Sequence, residues 1–186
     1  EARALAHIEF VAIDLALDMV GRFGSEMGSG FVGDFLAVAA DEAMHFALLD
    51  RKLRLLGSHY GAHPAHDGLW QTAWDTRHDV LARLALVPMV LEARGLDVSP
   101  ATIERLTRMG DARSASILNR IYMDEIRHVG VGSKWFSNLC ESQGLASIAH
   151  WKSLVRTHFS GPLKPPFNDS ARSQAGLTRE YYTELA

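Results

Sequence analysis

The sequence is poor in cysteine: Cys140 is the only one in 186 residues. It can close no disulfide within the chain and has no second cysteine for a zinc knuckle. A reducing compartment, the cytoplasm, is therefore the expected setting, and Cys140 reads as a small core or half-exposed residue. Long apolar runs are lacking too, since none reaches the roughly 18 to 20 residues that span a bilayer. No charged stretch followed by an apolar leader opens the chain. An excess of one charge is also missing. A formal net charge of -3 gives none of the basic footprint that a dedicated nucleic-acid binder carries, so nucleic acid is unsupported as a partner. No stretch alternates apolar and polar residues as a half-buried strand does.

What is present is helical period. With 47% hydrophobic residues the chain can build one core, and it reads as a single domain over residues 1–186. Its bundle covers about residues 2–142, and a C-terminal helix with a proline-rich tail covers 143–186. Leu5, Ile8, Val11, Ala12, Leu15 and Met19 recur at three and four, predicting a helix from Ala2 to about Arg22. Gly21, Gly24, Gly28 and Gly30 then read as a short connection. A second helix is expected from Phe31 to Leu56, stopped by Gly57. After a loop over 58–68, a third is expected from about Leu69 to Arg94, ending at Gly95. Ser99-Pro100 reads as the N-cap and first position of another helical stretch. Ala112 to about Leu139 gives the fourth long helix, followed by helices over Leu145 to Phe159 and Leu177 to Leu185. The tail Ser160 to Asp169, with Pro162, Pro165 and Pro166, reads as an extended loop. The chain opens on Glu1 with no methionine, inside an apolar periodic segment, which raises the expectation of residues upstream.

Chemistry enters through a repeated motif. The sequence holds two Asp-Glu dipeptides, Asp41-Glu42 and Asp124-Glu125, and each is followed three residues after the glutamate by a histidine, His45 and His128. On a helix, positions i and i+3 share a face, so each pair can aim a carboxylate oxygen and an imidazole nitrogen at one point. Composition alone gives both dipeptides such a histidine in roughly two chains per thousand. Glu9 precedes Glu42 by 33 residues and Glu92 precedes Glu125 by 33, so the two halves match. One lone glutamate and one Glu-x-x-His per half is the ligand pattern of ferritin-like dinuclear carboxylate bundles. The residues one turn away are apolar or small, including Leu5, Ala6, Val38, Ala39, Ala85, Met89, Leu118 and Ile121. Four carboxylates on such buried stripes repel one another and lose hydration unless cations neutralise them. Oxygen and imidazole donors together suit iron, manganese or zinc, so the expectation is two metal ions, iron first, on Glu9, Glu42, His45, Glu92, Glu125 and His128. Asp41 and Asp124 are expected to accept the outer imidazole N–H of a ligand histidine, most plausibly in the opposite half, or else to form helical salt bridges.

Asp124-Glu125-Ile126-Arg127-His128 resembles the Asp-Glu-x-Arg-His signature of di-iron oxygenases and ribonucleotide reductase small subunits. The segments His7-Ile8-Glu9, His63-Pro64-Ala65-His66-Asp67-Gly68-Leu69-Trp70 and Leu163-Lys164-Pro165-Pro166-Phe167-Asn168 resemble, over nearly the whole chain, the ferritin-like family catalogued as domain of unknown function 455. That resemblance implies an all-α, ferritin-like four-helix bundle with one long crossover and extra C-terminal helices. It also implies the metal ligands, but no reaction. Likeness to the tRNA hydroxylase that modifies a thiomethylated isopentenyl adenosine is one of architecture and ligand pattern only.

Other residues have two readings. His59, His63 and His66 form either a second metal site or a structural loop, with His66 or Asp67 capping the next helix. His7 faces away from Glu9 and is a poor ligand. Tyr122, one turn before Glu125, is a core residue with a satisfied hydroxyl or a redox-active tyrosine. Pro88 bends the third helix one turn before Glu92. Arg127 is expected to pair with an acid away from the metals. The basic residues from Lys152 to Arg179 serve a substrate phosphate or clamp the tail, the clamp being preferred, with Phe167 as an apolar plug. The leading functional expectation is a di-iron oxidoreductase of the hydroxylase type, using dioxygen, an electron donor and a small organic or nucleoside substrate. The alternatives are a ferroxidase or iron-handling protein, and a non-enzymatic helical interaction module whose Asp-Glu-x-x-His pairs are buried salt bridges.

Overall fold

The computed structural model describes residues 2–65 and 67–186, and among these every regular element is helical. Helix α1 (Ala2–Met27) turns directly into α2 (Ser29–Leu55). The turn is the single residue Gly28, whose φ of +84° is left-handed backbone that glycine adopts without steric cost. The first hairpin is therefore tighter than the glycine spacing predicts, and Gly21, Gly24 and Gly30 lie inside helices. A long connection containing α3 (Gly68–Asp75) leads to α4 (Val80–Leu86), a π-helical turn (Val87–Glu92) and α5 (Ala93–Arg108), which run on from one another. Helix α6 (Ala112–Ser142) returns alongside them.

The hairpin α1–α2 packs on the second antiparallel pair through α2 and α6. Cross-links from Asp34 to Lys134 and from Lys52 to Asp111 show that α2 and α6 run in opposite directions. The buried stripe of α1 is Ala6, Glu9, Ala12, Leu15, Met19 and Phe23. In α2 it is Phe31, Phe35, Val38, Glu42, His45, Leu49 and Leu53. Three- and four-residue spacing puts each glutamate in line with the core rather than with solvent.

The expected third helix, Leu69 to Arg94, is in fact broken, and the expected stop at Gly95 does not occur. The break comes at Thr76–Asp79. There Asp79 adopts an extended backbone and its side chain accepts from Ala82 N at 3.0 Å, an N-cap that restarts the helix at Val80. Arg83, 1% exposed, holds the break in place: it donates to Thr76 Oγ1, to the Ala73 carbonyl and to Asp18 Oδ2 of α1. Gly95 and Ser99-Pro100 stay helical because Leu96 and Asp97 are buried by the C-terminal tail, and burial outweighs local propensity. Pro100 lacks the N–H that would bond the Leu96 carbonyl, and Asn168 Nδ2 donates to that carbonyl instead at 3.1 Å.

The tail is a clamp. Helices α7 (Ser147–His158), α8 (Asp169–Gln174) and α9 (Arg179–Tyr182), with a 3-10 turn (Thr183–Leu185), fold over α4, α5 and α6. Buried Arg172 donates Nε and Nη2 to Asp97 at 2.8 and 2.7 Å under the rings of Phe167 and Tyr182. Arg94 donates to the Lys164 and Pro166 carbonyls, and Lys152 pairs with Glu184. Leu163 is the buried apolar plug, whereas Phe167 is only partly buried. Helix α8 starts at Asp169, the last residue of the expected extended loop. At the π turn, Pro88 lies against Gly132 of α6, where an added Cβ would come within 2.5 Å of the proline ring. Gly132→Ala should therefore lower the unfolding free energy by about 1–3 kcal/mol by overpacking, read as a reduced denaturant midpoint at unchanged m-value.

Candidate metal centre

The residues the sequence singles out come together where α1, α2 and α6 meet. Glu9, Glu42, His45 and Glu125 each offer a ligand atom, and these atoms all lie within 4.8 Å of one another. His128 completes the cluster, with Nδ1 2.9 Å from Glu42 Oε1 and 3.6 Å from Glu125 Oε1. His45 Nδ1 lies 3.2 Å from Glu9 Oε2 and 3.3 Å from Glu42 Oε2. Glu42 thus stands between the two imidazoles, one oxygen toward each. All five residues are buried, Glu125 being the most exposed at 9%. Glu92 stands at the rim, partly exposed on the π turn and outside the tightest group. It is still near enough for Glu125 and Glu42 to act on its carboxyl.

The outer nitrogens are held crosswise. His45 Nε2, on α2, is 3.1 Å from Asp124 Oδ2 on α6, and His128 Nε2, on α6, is 3.2 Å from Asp41 Oδ2 on α2. Each aspartate is gripped in turn by an arginine. Arg120 Nε donates to Asp124 Oδ2 at 2.6 Å, and Arg127 donates to Asp41 and lies 3.6 Å from Asp124. Arg127 therefore sits directly behind the cluster rather than away from it. Arg120 belongs to neither Asp-Glu-x-x-His motif, and its place four residues before Asp124 on α6 is the one signal of its role in the sequence. Proton placement follows: an Nε2–H donated outward leaves Nδ1 facing the glutamates.

The protein groups alone form a strained electrostatic set. Burial pushes Glu9 well above the carboxylate range, and it raises Glu125 with Glu42 adding to it. Glu92 is pushed up to about 8 by burial, with Glu125 and Glu42 adding. Burial raises Glu42 too, but His128 and His45 outweigh it and hold this carboxyl far below the usual range. Burial lowers the imidazoles, yet the surrounding carboxylates win, taking His45 to about 10 and His128 to about 11. Two buried imidazoliums thus supply the positive charge that the carboxylates need, a task two dications do equally well. The donor set fits a metal for a second reason. Glu42 Oε1 and His128 Nδ1 are both sealed from solvent and, though 2.9 Å apart, are not aligned for a hydrogen bond. Buried polar atoms left this way indicate a missing partner.

The remaining candidates fall elsewhere. Tyr122 OH accepts from Asn168 Nδ2 at 3.0 Å, so its hydroxyl belongs to the tail clamp and not to the cluster. His7 Nδ1 pairs with Tyr60 OH at 3.0 Å. His59 and His63 line an open cavity of about 590 Å³ beside Tyr60. Among the described residues no second group of three metal-capable side chains converges, so the loop histidines gain no support as a second site. His66 lies outside the described residues, and Asp67 takes the N-cap position of α3 without a side-chain bond.

Metal uptake must displace the protons that His45 and His128 retain up to about 10 and about 11, so affinity should rise with pH and collapse in acid. Calorimetry of Mn(II) or Zn(II) binding at about pH 6 and about pH 8, in buffers of different ionisation enthalpy, should show tighter binding at the higher pH and release of protons on loading. Affinity independent of pH, with no proton released, would contradict this site.

Residues 2–183 match the family described as Protein of unknown function (DUF455), and the chain belongs to it. An uncharacterized protein of Haemophilus influenzae is 43% identical over 182 residues, covering 95% of this chain and 63% of the relative. The chain thus spans somewhat less than two thirds of that relative's length. No solved structure matches. No helix among the described residues is long and apolar enough to cross a membrane.

Proposed function

We propose that this member of the DUF455 family is a ferritin-like dinuclear metalloprotein, an oxidoreductase that uses two iron ions to activate dioxygen toward a small organic substrate. The observation that carries the reading is the position of Glu42, between two imidazole nitrogens at 3.3 and 2.9 Å, which is where a carboxylate bridging two cations belongs. Glu9, Glu42, His45, Glu125 and His128, with Glu92 from the rim, are the residues that would hold the two ions. Bound iron would supply the electrons that dioxygen accepts, with further reducing equivalents drawn from an external donor.

The chain's own groups do the rest. Asp124 and Asp41 fix both histidines with Nδ1 inward, and Arg120 and Arg127 hold those aspartates in place. Burial raises Asp124, but Arg120 and His45 outweigh it and hold its carboxyl below the ordinary range. Ala39, Leu49, Ile121 and Val129, all buried, keep bulk water from the cluster. Glu92 would reach the ions from the rim, on a π turn of the kind that recurs at functional sites.

The test is anaerobic loading with ferrous iron followed by exposure to dioxygen. Two irons per chain and a Mössbauer spectrum of an antiferromagnetically coupled pair are expected. Glu42→Ala and Glu125→Ala should each lose at least one iron while keeping the helical circular dichroism. Full iron content in both variants, or a folded chain that takes up no iron, would sink the reading.

A further inference from the structure

The C-terminal clamp leaves one strong donor unused. Arg172, 3% exposed, gives Nε and Nη2 to Asp97 at 2.8 and 2.7 Å, yet its Nη1 is buried without a hydrogen-bond partner. Buried donors are almost always satisfied, so an orphaned guanidinium nitrogen marks the place of an absent acceptor. Arg172 also lines a cavity of about 250 Å³ between the π turn and the tail, partly open to solvent.

Two further cations stand on its wall. Arg94 spends Nη1 on the Lys164 and Pro166 carbonyls and lies 3.5 Å from Asp97 Oδ2. Lys164 is exposed, and its ammonium has no ion pair among the described residues. Asp97 is the only acid on the wall that the described residues form, so three cations stand against one carboxylate and a positive excess remains. Charge alone does not define the occupant. Val90, Leu91, Phe159, Leu163 and Phe167 make much of the remaining wall apolar. The volume is just under the roughly 300 Å³ at which pockets for drug-sized ligands begin, so the molecule that fits is small. The Asp97 carboxylate on the same wall repels a dianion more than a monoanion. The chemistry that matches is one carboxylate on a compact apolar body. Its oxygen at Nη1 would make a charge-assisted hydrogen bond, the strong class.

We propose that this cavity binds a small apolar carboxylic acid in its ionised form, with the carboxylate on Arg172 Nη1 and the Lys164 ammonium adding long-range attraction. The inference stands apart from the metal reading, because none of Glu9, Glu42, His45, Glu92, Glu125 and His128 lines the cavity. Its test needs no metal. Calorimetric titration of the full chain with benzoate should show saturable binding of one molecule per chain. Benzamide, the neutral isostere, and inorganic phosphate should each bind roughly tenfold more weakly or worse. Lys164→Gln should weaken benzoate binding several-fold, and Leu91→Trp, which fills the cavity from the π turn and leaves the Arg172–Asp97 pair in place, should abolish it. Crystals soaked in para-bromobenzoate should carry a bromine anomalous peak beside Leu91 and Phe167, with a carboxylate oxygen about 2.8 Å from Nη1. That soak decides the matter if Leu91→Trp folds poorly. Absence of saturable benzoate binding, equal binding of benzamide or phosphate, or an ordered water at Nη1 that the soaked anion does not displace, overturns the proposal.

Discussion

Three carboxyl groups and two imidazoles share one apolar interior, with a fourth carboxyl, Glu92, at its rim. Burial of an isolated carboxylate is prohibitive, so each must be protonated, paired or bound to a cation. The opposed shifts within the cluster express that demand. Glu9, Glu92 and Glu125 are driven toward the neutral form, Glu42 is held ionised, and the histidines keep their protons far above the usual range. Such a set is a poor way to stabilise a core, because apolar residues of similar volume would cost less desolvation. A bound cation would offset that cost.

The outer ring makes the inner one possible. Hydrogen bonds run from Arg120 through Asp124 to His45 and from Arg127 through Asp41 to His128, so each hairpin orients the other's histidine. The cluster therefore depends on the register of α2 against α6, which the Asp34 to Lys134 and Lys52 to Asp111 pairs set at the two ends of that contact. On the far side, α4, the π turn and α5 are braced by Arg83 on Asp18 and by Arg172 on Asp97, both buried. The C-terminal tail is part of that brace, since Asn168 satisfies the carbonyl that Pro100 leaves open.

The legible part of the sequence was the part governed by short spacing. Helical period located most of the long helices, and the Glu-x-x-His repeat put Glu42 with His45 and Glu125 with His128 on inward faces that the structure gathers into one cluster. Matched spacing brought in Glu9 closely and Glu92 only to the rim, at the end of the π turn Val87–Glu92 that contains Pro88. What could not be read depends on distant partners. Gly95 and Pro100 look like stops until the tail covers Leu96 and Asp97. Asp79 is an N-cap that shows itself only once the helix before it has ended. Arg120 and Arg127 look like surface charges, and 58% and 54% of their side-chain area is exposed, yet their heads grip the aspartates behind the histidines. Single-sequence reading sees a charge at a position, not which buried carboxylate it steadies.

The most direct test of the central claim is anomalous diffraction at the iron edge from crystals of the iron-loaded chain. The account predicts two peaks about 3.5–4 Å apart, with the Glu42 carboxylate between them and one imidazole Nδ1 bound to each. A single peak, or no peak with Glu42 still facing two protonated histidines, would contradict it.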